Sequence, residues 1–224
     1  MALKKAKRKP ISVNPKILLL YGAPKVGKTT MLSKLADCLI IDTESGSHML
    51  ECYFHGVNSK EELLSFYKEA GEGHEYKVFA LDTIDKIVEW TGKDVCKEMG
   101  VEDIADLPYG KGFGMVRERV LNNIKKLQSL CSKTIIVGHR KTAAAVDNST
   151  AVEPESLDLS GKLKNQLMAQ SDAIGYMFRG EEDELMVSFQ AGVALEAGSR
   201  CDHLKGKVFP FDWKLIYKKE KESK

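Results

Sequence analysis

The chain has 224 residues, 43% hydrophobic and 29% charged, and its 34 basic and 32 acidic side chains leave a net charge of only +2. Such a composition suits one α/β domain with a substantial core, and it excludes both a polycation and a chain too polar to fold. No apolar run approaches the roughly 18 residues of a membrane span, so no membrane partner is expected.

Five cysteines (Cys38, Cys52, Cys96, Cys131 and Cys201) are scattered and include no CxxC pair. That predicts reduced thiols in an intracellular, cytoplasmic protein. Residues 1–15 are expected to be a flexible basic tail, with Lys4, Lys5, Lys7, Arg8 and Lys9 crowded together and Pro10 and Pro15 closing it. The domain is expected over residues 16–213, with 214–224 a charged tail.

Ile17-Leu18-Leu19-Leu20-Tyr21 is a continuous apolar run, the pattern of a strand covered on both faces in a parallel sheet. A glycine-rich loop follows, and Thr29 to Leu35 reads as helix. Cys38-Leu39-Ile40-Ile41 is a second buried strand ending on Asp42-Thr43-Glu44, and Ser59 to Ala70 is a helix capped by Ser59 or Asn58. His48, Cys52 and His55 lie close together, but with no fourth ligand in sight they read as helix or loop and not as a metal site. Val78-Phe79-Ala80-Leu81 is a third strand closed by Asp82, followed by a helix from Ile84 to about Met99.

Leu107 to Gly114 is rich in turn formers and reads as irregular. Val116, Val120, Ile124, Leu127 and Cys131 then recur every three or four residues, which predicts an amphipathic helix. Thr134 to Gly138 is the fourth strand and ends on His139-Arg140. Residues 141–160 show no period and form a long loop of the kind that carries function. A helix over Lys162 to Gln170 and an antiparallel pair, Ala173–Phe178 with Glu184–Phe189, complete the series. Alternating strands and helices over 17–140 predict an α/β fold: a mainly parallel sheet flanked by helices, with antiparallel strands added at one edge near the C-terminus.

The chemistry lies in Gly22-Ala23-Pro24-Lys25-Val26-Gly27-Lys28-Thr29, a GxxxxGKT phosphate-binding loop between a buried strand and a helix. A triphosphate needs several converging N–H donors, and glycine at 22 and 27 lets the backbone wrap closely. The helix beginning near Lys28 aims its free N–H groups at the β-phosphate. Lys28 reaches the β- and γ-oxygens, and Thr30 completes the loop. Mg-ATP is therefore the expected ligand, with Thr29 and Asp82 holding Mg2+.

Asp82 closes an apolar strand as a Walker-B aspartate does. The next residue is Thr83, where many P-loop proteins carry a water-activating glutamate. The base must then come from elsewhere: Glu44 is the favoured residue, with Asp42 and Asp85 as rivals. His139, at the fourth strand's end, is placed to sense the γ-phosphate.

Gly22 to Thr30, Ile41-Asp42-Thr43-Glu44, Leu81-Asp82-Thr83 and Ile135-Ile136-Val137-Gly138-His139 together resemble the RecA-like ATPases. Within that class they look most like the compact phage nucleotide-binding proteins linked to single-strand annealing and recombination. Ser171 to Tyr176 and Gly198-Ser199-Arg200-Cys201 extend the likeness, so that it covers about residues 16–213. The resemblance implies a RecA-like core that hydrolyses ATP at a protomer interface, with Glu44 catalytic and His139 coupling nucleotide state to DNA-binding loops. It also implies self-association into a ring or filament, and host cytoplasm as the location if a phage encodes the chain.

Single-stranded DNA would be held by two loops, about residues 105–115 and 141–160. Tyr109, Lys111 and Phe113 in the first could stack bases and hold phosphates, and Arg140 and Lys141 open the second. The second loop also carries Asp147, Glu153, Glu155 and Asp158, a departure for a surface meant to grip a polyanion. Without the accessory domains of full recombinases, annealing or strand coating is expected over strand exchange. Arg179, Arg200, Lys205 and Lys207 are candidates for a cation reaching a neighbour's γ-phosphate. A small-acceptor kinase and a nucleotide-gated binding module with little turnover remain alternatives.

Overall fold

Each long apolar run of the sequence becomes a strand buried on both faces. The computed structural model describes residues 13–141 and 155–219. The basic N-terminal run, most of the 141–160 segment and the last five residues lie outside that set.

Four runs form β1 (Ile17–Gly22), β2 (Cys38–Asp42), β4 (Val78–Asp82) and β5 (Lys133–His139), and β3 (Tyr53–Gly56) adds a fifth strand. β6 (Ala173–Arg179), β7 (Leu185–Ser188), β8 (Gly198–Ser199) and β9 (Val208–Pro210) follow. The sheet order is β3-β2-β4-β5-β1-β6-β7-β9, with β8 also paired to β6. The six strands from β3 to β6 in that order are parallel. β7, β8 and β9 are antiparallel additions from the C-terminal part of the chain, as expected.

Alternation along each central strand sends side chains to two cores. Leu19, Tyr21, Leu39, Ile41, Phe79, Leu81 and Ile136 face one side. There they meet α2 (Lys60–Glu72), α3 (Ile84–Met99), α4 (Lys111–Leu130) and α5 (Gly161–Gln170) through residues such as Leu63, Ile87, Val120 and Leu163. Leu18, Leu20, Ile40, Ala80, Ile135 and Val137 face the other, under α1 (Lys28–Ser33) and α6 (Trp213–Ile216). The result is a three-layer α/β/α arrangement. Fully burying each Leu or Ile contributes about 1.5–3 kcal/mol.

Local signals set the helix ends. Ser59 Oγ accepts from Glu62 N at 3.2 Å, and Glu62 Oε2 accepts from Asn58 N at 2.7 Å, so both candidate capping residues take part at the start of α2. Gly100, with φ of 66°, ends α3 in the left-handed conformation.

Three expectations need correction. Residues 53–56 form β3 and not a helix or loop; Tyr53 and Phe54 supply β propensity, and β2 supplies the partner. Lys111 to Gly114 are the first turn of α4 and not irregular chain. The glycine at 112 answers a packing demand, since a Cβ there would collide with the carbonyl oxygen of Ile104. Packing also continues past residue 213: Ile216 is fully buried, and the Asn14 side chain brackets the Lys218 backbone, donating to its O at 2.8 Å and accepting from its N at 2.9 Å.

Candidate nucleotide-binding site

Parallel strands end together, so the residues closing β1, β2, β4 and β5 share one rim of the sheet. Register makes this concrete. Gly22 pairs with His139 across β1 and β5, and Asp42 pairs with Asp82 across β2 and β4. Thr43 ties the last two tips together: its N donates to Asp82 O at 2.8 Å, and its hydroxyl accepts from Thr83 N at 2.8 Å and donates to Thr83 O at 3.0 Å.

The loop after β1 wraps against β6. A Cβ on Gly22 would stand 2.5 Å from Met177 O, so the backbones touch where only glycine fits. Gly27, at φ of 117°, occupies the left-handed region that lets the chain turn into α1. Lys25 is also left-handed, at φ of 61°. Val26 N is bonded to Ala23 O, whereas the N–H groups of Gly27, Lys28 and Thr29 have no acceptor among the described residues. Such unpaired donors at a helix start form an anion cradle.

Lys28 is only 7% exposed, and its ammonium donates to Ala23 O at 2.9 Å and Gly22 O at 3.2 Å. Burial pulls its pKa below the ordinary lysine value, and the charges of Asp82, Glu44 and Asp85 oppose that shift. Thr29 Oγ1 donates to Asp82 Oδ2 at 2.6 Å. Burial holds the Asp82 carboxyl above its usual range, with the Thr29 hydrogen bond and the Lys28 charge working against it. A cation shared by the hydroxyl and the carboxylate would relieve that burial cost. Mg2+ takes only one or two protein ligands beside phosphates and waters, so this pair fits it. Among the described residues no group of three His, Cys, Asp or Glu side chains could hold a metal, His48, Cys52 and His55 included.

These groups line a cavity of about 450 Å3, together with Pro24, Lys25, Thr30, Glu44, Thr83 and His139. That volume falls in the range of small-molecule and cofactor sites. Of the three acidic candidates for a base, Asp42 is committed elsewhere. Its oxygens accept from Ser47 Oγ (2.5 Å), Ser47 N (2.8 Å), Glu44 N (3.0 Å) and Gly46 N (3.2 Å). Burial favours its neutral form, but these bonds, Ser47's foremost, outweigh it and hold the carboxyl below the usual range. Asp42 thus folds the 43–47 turn, and that turn carries Glu44 to the cavity.

Glu44 Oε1 accepts from Thr83 Oγ1 at 3.0 Å, while its Oε2 lies 3.9 Å from His139 Nε2. Among the described residues Asp85 Oδ2 is buried without a hydrogen-bonded partner, and His139 Nδ1 lies 3.4 Å from it. The Asp85 carboxylate holds the imidazole above its ordinary pKa, against burial. His139, Glu44 and Thr83 therefore form a chain of polar groups along the cavity wall, with Asp85 behind His139.

Several contributors were not picked out from the sequence. Gly46, Met49 and Leu50 line the cavity from the segment between β2 and β3, and no periodic or motif signal marks them. Thr83 is conspicuous in the sequence only as a missing glutamate, yet its hydroxyl holds the Glu44 carboxylate. Arg179, considered for a role in a neighbouring protomer, stands against its own loop, with Nη2 3.5 Å from where a Gly27 Cβ would be. Arg200 is engaged by the Ala169 carbonyl and Asp172.

The DNA candidates lie apart from this cavity. Tyr109, left-handed at φ of 55°, is wholly exposed, and Phe113 is half-exposed, while Lys111 opens α4. Arg140 is bound within the fold: its Nη1 donates to Glu155 Oε1 at 2.8 Å and to Tyr176 OH at 3.2 Å. Lys141 N donates to Ser156 O at 2.8 Å.

Comparison with known families adds an independent line. Residues 14–201 match the model of a family described as an AAA domain. No curated protein matches the chain significantly. The matched span contains the loop, Glu44, Asp82 and His139, and among the described residues no helix is long and apolar enough to cross a membrane. The chain belongs to this AAA-domain family of P-loop ATPases.

Proposed function

We propose that the protein is a RecA-like ATPase that binds single-stranded DNA and acts in recombination by strand annealing or coating. The observation that carries the nucleotide half is the shared cavity: unpaired loop amides, Lys28, the Thr29–Asp82 pair, and the Glu44–His139 pair all open onto one space of about 450 Å3. The loop amides and Lys28 bind the β- and γ-phosphates, and the Thr29–Asp82 pair holds Mg2+. The metal, when bound, neutralises developing phosphate charge.

Glu44 accepts the proton of a water aimed in line at the γ-phosphorus, and Thr83 fixes the carboxylate by donating to its other oxygen. His139 lies between Glu44 and Asp85 and is the first residue to feel the presence or loss of a γ-phosphate. It also begins the segment that runs out through Arg140 to residues 141–155, a covalent path from nucleotide state to a candidate DNA loop.

The DNA half is supported by the wholly exposed Tyr109 beside Phe113 and Lys111, side chains suited to stacking bases and holding phosphates. The Arg140–Glu155 ion pair argues against Arg140 as a free phosphate contact and leaves the weight on the 109–113 cluster. Self-association is supported by exposed apolar side chains at the β3 edge, Tyr53 and Phe54, and by Met49, which is exposed and also lines the cavity. A neighbour covering them would close the nucleotide site.

The deciding experiment is ATP turnover with and without single-stranded DNA, with binding measured across a salt series. Stimulation of turnover and salt-sensitive binding are expected. No binding in either nucleotide state would refute the DNA half and leave the ATPase reading standing.

A further inference from the structure

A second, larger cavity lies among α2, α3 and α4. It has a volume of about 610 Å3 and shares no lining residue with the nucleotide cavity. Helical spacing builds it. Lys60, Leu64, Tyr67 and Lys68 recur along one face of α2, and Arg119, Asn122, Asn123 and Lys126 recur along one face of α4. Thr91 and Asp94 come from α3.

The charge around this groove is one-sided. Four cations line it against one carboxylate, in a chain whose total is only +2. Lys60 pairs with Asp94, and Arg119 Nη2 pairs with Glu98 Oε2 at 2.6 Å. Lys68 and Lys126, exposed on opposing helices, have no ion-pair partner among the described residues. The same lining carries an apolar side chain open to solvent: Leu64 is 52% exposed.

We propose that this groove docks an acidic segment of a partner protein, with an aliphatic side chain seated against Leu64 and flanking carboxylates on Lys68 and Lys126. Charge complementarity selects an anionic occupant, and the exposed leucine selects one that also carries an apolar anchor. A nucleic acid strand fits less well. Its bases need an open aromatic face, and the one aromatic ring here, Tyr67, is 7% exposed, with its hydroxyl donating to Asn123 O at 3.3 Å. An amphipathic acidic peptide uses both features, in the manner of short motifs that set an anchor into a groove.

The test uses the full chain and a fluorescein-labelled octapeptide of glutamates around a central leucine pair, followed by anisotropy. The double variant Lys68→Glu/Lys126→Glu should weaken binding about tenfold or more, and Leu64→Ser about threefold. Both changes are on exposed positions, and an unchanged thermal midpoint and unchanged ATP binding confirm an intact fold. An all-serine octapeptide should not bind. Equal binding by the double variant, as when the basic N-terminal run captures the peptide, would overturn the proposal. So would absence of peptide binding, or loss of oligothymidylate binding in the double variant with peptide binding intact.

Discussion

Glu44→Gln exchanges one carboxylate oxygen for an amide nitrogen in a side chain whose contacts are known on both sides. The amide oxygen can keep the hydrogen bond from Thr83 Oγ1, now 3.0 Å, so the side chain stays in position. Lys28 keeps Asp82, the largest of the charges that oppose the lowering of its pKa by burial. What disappears is the capacity to accept a proton from water. Removing a positioned general base costs about 10²–10⁴-fold in rate, or about 3–5 kcal/mol at the barrier. Phosphate release at saturating ATP should fall by that factor, while ATP affinity from equilibrium dialysis changes by no more than about threefold. Thr83→Val, which leaves the carboxylate but frees it to rotate, should give a smaller loss of about tenfold. Turnover within about threefold of the parent in Glu44→Gln would mean that the base lies elsewhere. Loss of ATP binding would mean that Glu44 serves the loop's structure.

Other changes test neighbouring parts of the argument. Gly22→Ala puts a methyl 2.5 Å from Met177 O, and urea unfolding should show a loss of about 1–3 kcal/mol. Asp85→Asn removes the charge that raises the His139 pKa, so an NMR titration of the imidazole should shift to lower pH. The stabilisation from that pair is complete below the unfolded value near 6.5 and fades as pH rises through the raised folded value; the variant should lose this dependence. Trp213→Phe removes the 2.6 Å bond from Nε1 to Met31 O that holds the end of α1, and chemical denaturation should report about 1–3 kcal/mol. Tyr109→Ala should weaken single-strand binding by about 1–3 kcal/mol without changing basal turnover, as read by anisotropy and phosphate release.

Much of this protein is written locally. The four apolar runs, the GxxxxGKT loop and the acidic strand ends are short-range patterns, and burial on both faces of a parallel sheet leaves few other ways to satisfy them. Ile84–Met99 is found where the sequence reading puts a helix, because a helix needs only its own apolar stripe and a glycine stop. Glycine density misled at 107–114: a turn-rich composition and a helix pressed against Ile104 both call for residues lacking a Cβ, and only the packing partner tells them apart. β3 escaped notice because four residues, mostly exposed, show no period of their own, and pairing with β2 makes them a strand.

Within the site, the sequence by itself determined which side chains could hold phosphates and Mg2+, because loop and strand-tip chemistry are set by neighbours in the chain. Only the tertiary structure decided how the carboxylates divide their work. Asp42, Glu44 and Asp85 look alike as residues near strand ends. Asp42 is consumed by four hydrogen-bond donors, Asp85 is turned toward His139, and Glu44 is left on Thr83 at the cavity wall. Those assignments depend on register between β2, β4 and β5, and register is a property of strands meeting in space.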